Sequence, residues 1–504
     1  LTAAEAAVKG GAVKFAHDLH DRIADREHFD AVASGRSIVM QASSAVYLDD
    51  PSQLRSGPAR LVEAADLFHG HDQQREEDAL LQAFHALQAA EHLTDGIDVT
   101  ELGHRFEATA ATATDPARSV LLGLGALMTT VYHQAVPAIR AAMETIASCK
   151  DTEMLRFGFV GIALSTALWD ERIRDACLDR SERLAREAGS LLLLDAYLWT
   201  RSVTDLDRGD PRSAGRSIER VRELRKAMGY EAEHVVNGSF MAWTGAAPAD
   251  IERIMAVTLA QGWGGAHTVA ATGLAIREIA EGRYHDAFER LAPFVAQGFL
   301  HVGLRQLPEY VEAAARSGHP DEAERVTEQL RSIATANGST WARGITQRCT
   351  ALIDAGDAET HYTDAIATLS AADVPGDLFR AHLVYGEWLR RHRRRKDARA
   401  PLIRAHEGFT EINAVAFRDR AARELEALGV THGGETQRRG TATDDLTPRE
   451  AAVAQMAAQG STNAEIGAAL FISANTVDYH LRKVFQKLGL SSRRQLGDRL
   501  PPVP

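Results

Sequence analysis

The chain has 504 residues, 45% apolar and 25% charged, a balance that excludes wholesale disorder; at roughly 150 residues per domain the length suits about three domains or one long repeat array. Charge is uneven: residues 441–504 hold seven basic and six acidic side chains, net +1, which leaves 50 basic and 63 acidic, net −13, on the other 440. An acidic body repels nucleic acid, so any DNA binding has to run through a small local surface.

No apolar run reaches the roughly 18 residues that a membrane span needs. The longest, Val120–Tyr132 and Phe157–Trp169, end at a His or a charged residue and read as buried core helices. Cys149, Cys177 and Cys349 lie far apart, which gives neither a disulfide framework nor metal-ligand spacing and suits a reducing cytoplasm. The chain opens on Leu1 with no signal segment after it, as expected of a sequence that begins inside a longer gene product. Of its 57 basic residues 50 are Arg, a skew that points to a GC-rich genome.

Along residues 1–428, period-2 strand patterns are nearly absent. Helical patterns of about 12–18 residues recur instead, punctuated by Gly, Asp and Pro. Gly209-Asp210-Pro211, Gly282-Arg283, Gly318-His319-Pro320, Gly356-Asp357 and Arg395-Lys396-Asp397 each precede a helix with an early small residue. With Ala249 between the first two, the aligned residues are Ala214, Ala249, Ala287, Ala323, Ala358 and Ala398, at steps of 35, 38, 36, 35 and 40. Tyr132–Ala135 and Ala176 continue the spacing loosely. Two short helices and two turns consume about that length, as in tetratricopeptide repeats, and Ala suits the points where paired helices cross closely. The expected fold is all-α: a tetratricopeptide-like solenoid over 1–428, with an irregular helical bundle as the alternative. A solenoid leaves a concave face for a protein or a ligand.

Residues 429–443, with Gly429, Gly433 and Gly434, are polar and aperiodic and read as a flexible linker. Residues 444–504 read as a small four-helix domain. Thr447-Pro448-Arg449-Glu450 is a capping box, and Ala452, Val453, Met456 and Ala457 form one face of a helix that Gly460 ends. Ser461 or Thr462 caps a second helix carrying Ile466, Ala469 and Leu470. Ser473 caps a third, Ala474–Leu488, and Ser491 or Ser492 a fourth with Leu496 and Leu500. In the third helix Val477, Leu481, Val484 and Leu488 make one narrow apolar stripe. The opposite face offers Asn475, Thr476, Asp478, Tyr479, Arg482, Lys483, Gln486 and Lys487. A helix that packs by one stripe and presents donors, acceptors and cations on the other side suits the major groove.

Leu446-Thr-Pro-Arg-Glu, Asn463-Ala-Glu-Ile-Gly, Leu470-Phe-Ile-Ser, Thr476-Val-Asp-Tyr-His-Leu-Arg-Lys-Val-Phe and Lys487-Leu-Gly-Leu-Ser-Ser-Arg together resemble the LuxR-type helix-turn-helix DNA-binding domain. Tyr385-Gly-Glu-Trp-Leu-Arg-Arg, Leu184-Ala-Arg-Glu-Ala-Gly and Val311-Glu-Ala-Ala-Ala-Arg-Ser-Gly are similar to the helical region of the large ATP-binding regulators of that family. Those regulators carry a Gly-x-x-x-x-Gly-Lys-Ser/Thr loop. Here no Lys follows a Gly, so ATP binding is not carried over and no cofactor is expected.

The resemblance implies that Thr476, Asp478, Tyr479, Arg482 and Lys483 lie at the DNA. By chemistry Arg482 can fork onto a guanine edge or grip phosphate. Asp478 accepts from a cytosine amino group, pairs with Arg482 or points to solvent. Asn463, Ser473, Thr476, His480, Lys483, Lys487 and Arg493 suit contacts to the DNA backbone, which position without specifying. Tyr479 and His480 could equally complete the packing, and Lys487 could serve only the helix C-terminal dipole. Leu496 and Leu500 on the fourth helix are the candidates for dimerisation, as the resemblance implies. A two-fold dimer predicts an inverted-repeat operator on double-stranded DNA.

Other signals carry less. The basic run Arg390–Lys396 matches a helix end, His69-Gly70-His71-Asp72 a loop rather than metal ligands, and Gly262-Trp263-Gly264-Gly265 follows no strand. No catalytic arrangement or metal site emerges from spacing. The expected protein is therefore a cytoplasmic transcription regulator rather than an enzyme or a membrane protein. The resemblance suggests activation. An inducer or a protein would sit on the repeats, and RNA polymerase is a candidate partner. The competing reading is a protein-interaction scaffold whose C-terminal helices bind protein.

Overall fold

The computed structural model describes the chain except residues 24–28, 46–49, 231–236, 301–304, 355, 431–447, 459, 471–473, 489, 491–495 and 497–504. The described residues are all-α, without strands, and the chain divides into two compact units, Leu1–Leu428 and Gly429–Pro504. No described helix is long and apolar enough to cross a membrane.

The first unit runs α1 (Thr2–Lys9), α2 (Val13–Asp21), α3 (Ala31–Ser44), α4 (Pro51–Phe68), α5 (Gln73–Ala90), α6 (Val99–Ala110), α7 (Ala117–Thr129), α8 (Tyr132–Ser148), α9 (Asp151–Ala167), α10 (Glu171–Glu187), α11 (Leu191–Asp207) and α12 (Pro211–Ala227). It continues through α13 (Gly238–Trp243), α14 (Pro248–Ala260), α15 (Gly264–Glu281), α16 (Tyr284–Ala296), α17 (Leu307–Ser317), α18 (Pro320–Asn337), α19 (Thr340–Ile353), α20 (Ala358–Leu369), α21 (Pro375–Arg391), α22 (Arg395–Glu411) and α23 (Val415–Ala427). The second unit holds α24 (Pro448–Ala458), α25 (Asn463–Leu470) and α26 (Ala474–Leu488).

Local chemistry sets the helix ends. The carboxylates of Asp50, Asp72, Asp98, Asp170 and Asp210 each accept from a main-chain N–H in the first turn of α4, α5, α6, α10 and α12, where those donors lack intrahelical partners. Asp72 of the His-Gly-His-Asp segment is thus a cap, while His69 Nδ1 lies 3.1 Å from the carboxylate of Glu76. Gly318 ends α17 in the left-handed conformation and Pro320 opens α18.

Consecutive helices of the first unit pack on one another in chain order. Ala214, Ala287, Ala323, Ala358 and Ala398 are all buried. Ala249 is exposed, and Ile251 supplies the buried position of α14; Ala176 is exposed beside buried Cys177. Val120, Leu124, Phe157, Val160 and Leu164 are fully buried, in agreement with the core reading of the two longest apolar runs.

The array also folds back on itself. α15 packs against α5 and α23, far away in sequence. The Gly264-Gly265 pair makes this approach feasible: a Cβ on Gly264 would sit 2.0 Å from the carbonyl oxygen of Ala90, and one on Gly265 2.5 Å from that of Gln88. Thr268 Oγ1 then donates to buried Glu91 at 2.7 Å. A buried ion network joins α17, α21 and α23: Arg380 donates to Glu309 and Glu312 at 2.5 and 2.6 Å, and Arg420 to Glu387 at 2.7 Å. Burial works to raise the Glu312 carboxyl, but Arg380, Arg420 and Arg316 overcome it and hold the group far below the usual carboxylate range. The Arg390–Lys396 run lies at the α21–α22 turn, where Arg390 pairs with Glu424, Arg394 with Glu359 and Asp397, and Arg395 donates to the Ala427 carbonyl.

Candidate nucleic-acid interface

The C-terminal unit has its own small core. Val453, Ala454 and Ala457 of α24, Ile466 of α25, Val477, Leu481 and Val484 of α26, and Leu496 close on one another, all at most 4% exposed. Three of the four stripe residues predicted for the third helix are therefore buried together; the Leu488 side chain lies outside the described residues, as do those of Asn475, Tyr479 and Gln486.

Local signals place the elements. Gly460 adopts φ +94° after α24, and Ser461 N donates back to Met456 O at 3.1 Å, closing that helix. Thr462 and Glu465 form a reciprocal cap: Glu465 N donates to Thr462 Oγ1 at 3.3 Å, and the Glu465 carboxylate accepts from Thr462 N at 2.7 Å. These hydrogen bonds lower the Glu465 carboxyl below its ordinary range. Of the two caps that the sequence offers for this helix, Thr462 is the one used in a reciprocal box. The box read at Thr447 lies outside the described residues.

Helical geometry distributes the rest of α26. At 100° per residue Arg482 lies roughly 140° round from the stripe, and its side chain is 80% exposed. One turn earlier Asp478, 48% exposed, holds it with an Oδ2–Nη2 distance of 2.8 Å. Of the three options open to Asp478, the unbound chain takes the i,i+4 pair. Lys483 is exposed on the neighbouring flank, with Thr476 and His480 half-buried above it. Asn463 is half-buried at the first position of α25.

Lys487 departs from a free phosphate contact. Its Nζ lies 2.5 Å from Oε2 of Glu450, whose side chain is 5% exposed. The pair pins the C-terminal turn of α26 to the first turn of α24. No spacing rule finds it, because the partners are 37 residues apart. Leu496 is fully buried in the domain core, so its side chain packs inward and is not an exposed dimerisation contact. Ser473, Arg493 and Leu500 lie outside the described residues.

Residues 444–499 match the family described as bacterial regulatory proteins, luxR family. A Mycobacterium bovis protein named as an HTH-type transcriptional regulator, Mb0914c, is 43% identical over 65 residues, which is 13% of this chain and 7% of that protein. The CsgBAC operon transcriptional regulatory protein of Escherichia coli is 36% identical over 72 residues, 14% of this chain and 33% of its own length. The transcriptional regulatory protein ComA of Bacillus subtilis is 42% identical over 52 residues, 10% of this chain and 24% of its own. This chain therefore spans only a small part of each relative, and the likeness is confined to its C-terminal unit. The three-helix unit with an exposed, cation-bearing third helix, together with these matches, identifies residues 444–499 as a helix-turn-helix domain of the luxR family.

Proposed function

We propose that the protein is a sequence-specific, DNA-binding transcriptional regulator in which α26 enters the major groove and the helical array senses a ligand or a protein. The observation that carries this reading is the construction of α26: one buried stripe holds it, and the Arg482 side chain stands out from the other side at 80% exposure. The relatives named as transcriptional regulators support it. Arg482 reads a base edge or grips phosphate; Lys483, Thr476, His480 and Asn463 position the helix on the backbone. Ser473, Tyr479 and Arg493 complete that set by resemblance. Lys487 acts chiefly as the clamp on Glu450. Dimerisation through the fourth helix would use Leu500 rather than buried Leu496, and gives an inverted-repeat operator. Activation, with contact to RNA polymerase, follows the family pattern, and no catalytic role is assigned.

Duplexes selected by the full chain from a randomised pool test the proposal. Binding should weaken steeply as salt rises, because each phosphate contact releases counterions. Absence of duplex binding, or binding insensitive to salt, would return the C-terminal helices to the scaffold reading.

A further inference from the structure

The helical array holds a cavity of about 1650 Å³, above the roughly 300–1,000 Å³ of ordinary small-molecule sites. Its wall changes character from one end to the other. At one end the Phe159 ring stacks on Tyr197, with ring centroids 4.3 Å apart, and His85 meets Phe159 edge-on at 4.6 Å. Trp199, Val203 and Asp207 then follow along α11 at i, i+4 and i+8, on one face and about 12 Å from first to last. Flat apolar surface thus gives way to a polar end.

That polar end is left unfinished. The Arg305 guanidinium lies against the edge-on pair Trp169 and Trp341, 4.4 and 4.1 Å from their ring centroids. Its Nη2 donates to the main-chain oxygen of Asp207. Its Nε and Nη1 are buried and have no hydrogen-bond partner among the described residues. Buried donors are rarely left open, since their desolvation goes uncompensated. Several other charges on the wall are paired: Glu5 with Arg36, Asp195 with Arg225 and Glu309 with Arg380, whose Nε is also buried without a hydrogen-bond partner among the described residues. Carboxylates already act on the Arg305 charge: Asp207, Asp377 and Glu309 all favour its charged form, with Asp377 4.0 Å from Nη2. An uncharged acceptor therefore fits beside Arg305 better than another anion.

We infer that this cavity binds an elongated, uncharged organic molecule with a flat apolar body against Phe159 and Trp199 and an oxygen-bearing head that accepts hydrogen bonds from Arg305. The inference rests on the array being the sensing part of the protein. Dye binding reads only the cavity and duplex binding only the C-terminal domain, so each can fail without the other.

Two fluorescent probes test it on the full chain. Dansylamide carries a naphthalene body and an uncharged sulfonamide head; N-phenyl-1-naphthylamine has the apolar body without any oxygen. Both should bind saturably with one site per chain. Arg305→Met should weaken dansylamide at least tenfold and leave the phenylnaphthylamine within about twofold. Ala196→Trp, which fills the apolar end one turn before Trp199, should abolish both while circular dichroism stays unchanged. Should Arg305→Met fail to fold, Arg305→Lys keeps a cation against the Trp rings without the Nε and Nη1 donors and gives the same comparison. Failure of either probe to saturate, equal effects of the Arg305 variants on both probes, or indifference of both to Ala196→Trp would overturn the assignment. Equal effects would mean that ordered water serves Arg305.

Discussion

Arg482 and Asp478 hold each other across one turn of α26 at 2.8 Å, on a surface where such a pair is worth only about 0–1 kcal/mol. The bond is weak enough to be exchanged for phosphate or a guanine edge, yet it keeps the guanidinium extended along the helix until DNA arrives. Arg482→Ala should cost about 1–3 kcal/mol on a selected operator and less on random duplex if the side chain reads a base; equal losses by fluorescence anisotropy would make it a phosphate contact. Asp478→Asn removes a negative charge from the same face. It should tighten binding to random duplex by roughly 0.5–1 kcal/mol at low salt, while weakening discrimination if Asp478 accepts from cytosine. Lys487→Met leaves the nearly buried Glu450 carboxylate without its cation, so urea unfolding of the C-terminal unit should lose about 1–2 kcal/mol. In the array, burial holds the His85 imidazole down to about 4. The unfolded chain, titrating near 6.5, binds the proton that the folded state refuses. Stability relative to His85→Leu should therefore fall as pH drops from 6.5 towards 4, by about 1.4 kcal/mol per pH unit. Parallel urea titrations of the two proteins across that range check the sign.

Among the elements, the span of α26 and three residues of its stripe were legible, from apolar spacing. The start of α12 at Gly209-Asp210-Pro211 was legible as well, since capping is chemistry within a few residues; the Asp50, Asp72 and Asp170 caps of α4, α5 and α10 went unread. The misplaced repeat position at Ala249 marks the limit. Whether an Ala is buried depends on the partner helix, and in α14 the buried position is Ile251. The Gly262–Gly265 segment was legible only as something other than a dinucleotide turn. Its purpose, close approach of α15 to the end of α5, involves residues about 175 positions apart. Gly264→Ala would force a methyl group to within 2.0 Å of the Ala90 carbonyl oxygen. Such a clash against main chain should destabilise the array by more than about 2 kcal/mol in urea unfolding, with the C-terminal unit unaffected.

For the whole molecule, the charge asymmetry has a measurable consequence. A net −13 on residues 1–440 repels the same polyanion that the net +1 of residues 441–504 is proposed to bind. Removing residues 1–428 should therefore raise affinity for random duplex at low ionic strength. The gain should shrink as salt approaches roughly 0.15 M, where the Debye length is about 8 Å; a gain independent of salt would mean that the array blocks DNA sterically instead.

The sequence by itself determined that the chain is helical, where several of its helices start, and that its last segment is a luxR-family domain with one narrow stripe and one polar face. Those properties depend on neighbours within a turn or two, which the order of residues states directly. Only the tertiary structure decided that Lys487 clamps Glu450, that Leu496 packs inward, that α15 returns to α5, and that Arg305 is left with open donors at the end of a cavity. Each of these joins groups that are distant along the chain. Which distant groups meet is set by how the helices stack, and local spacing carries no record of that.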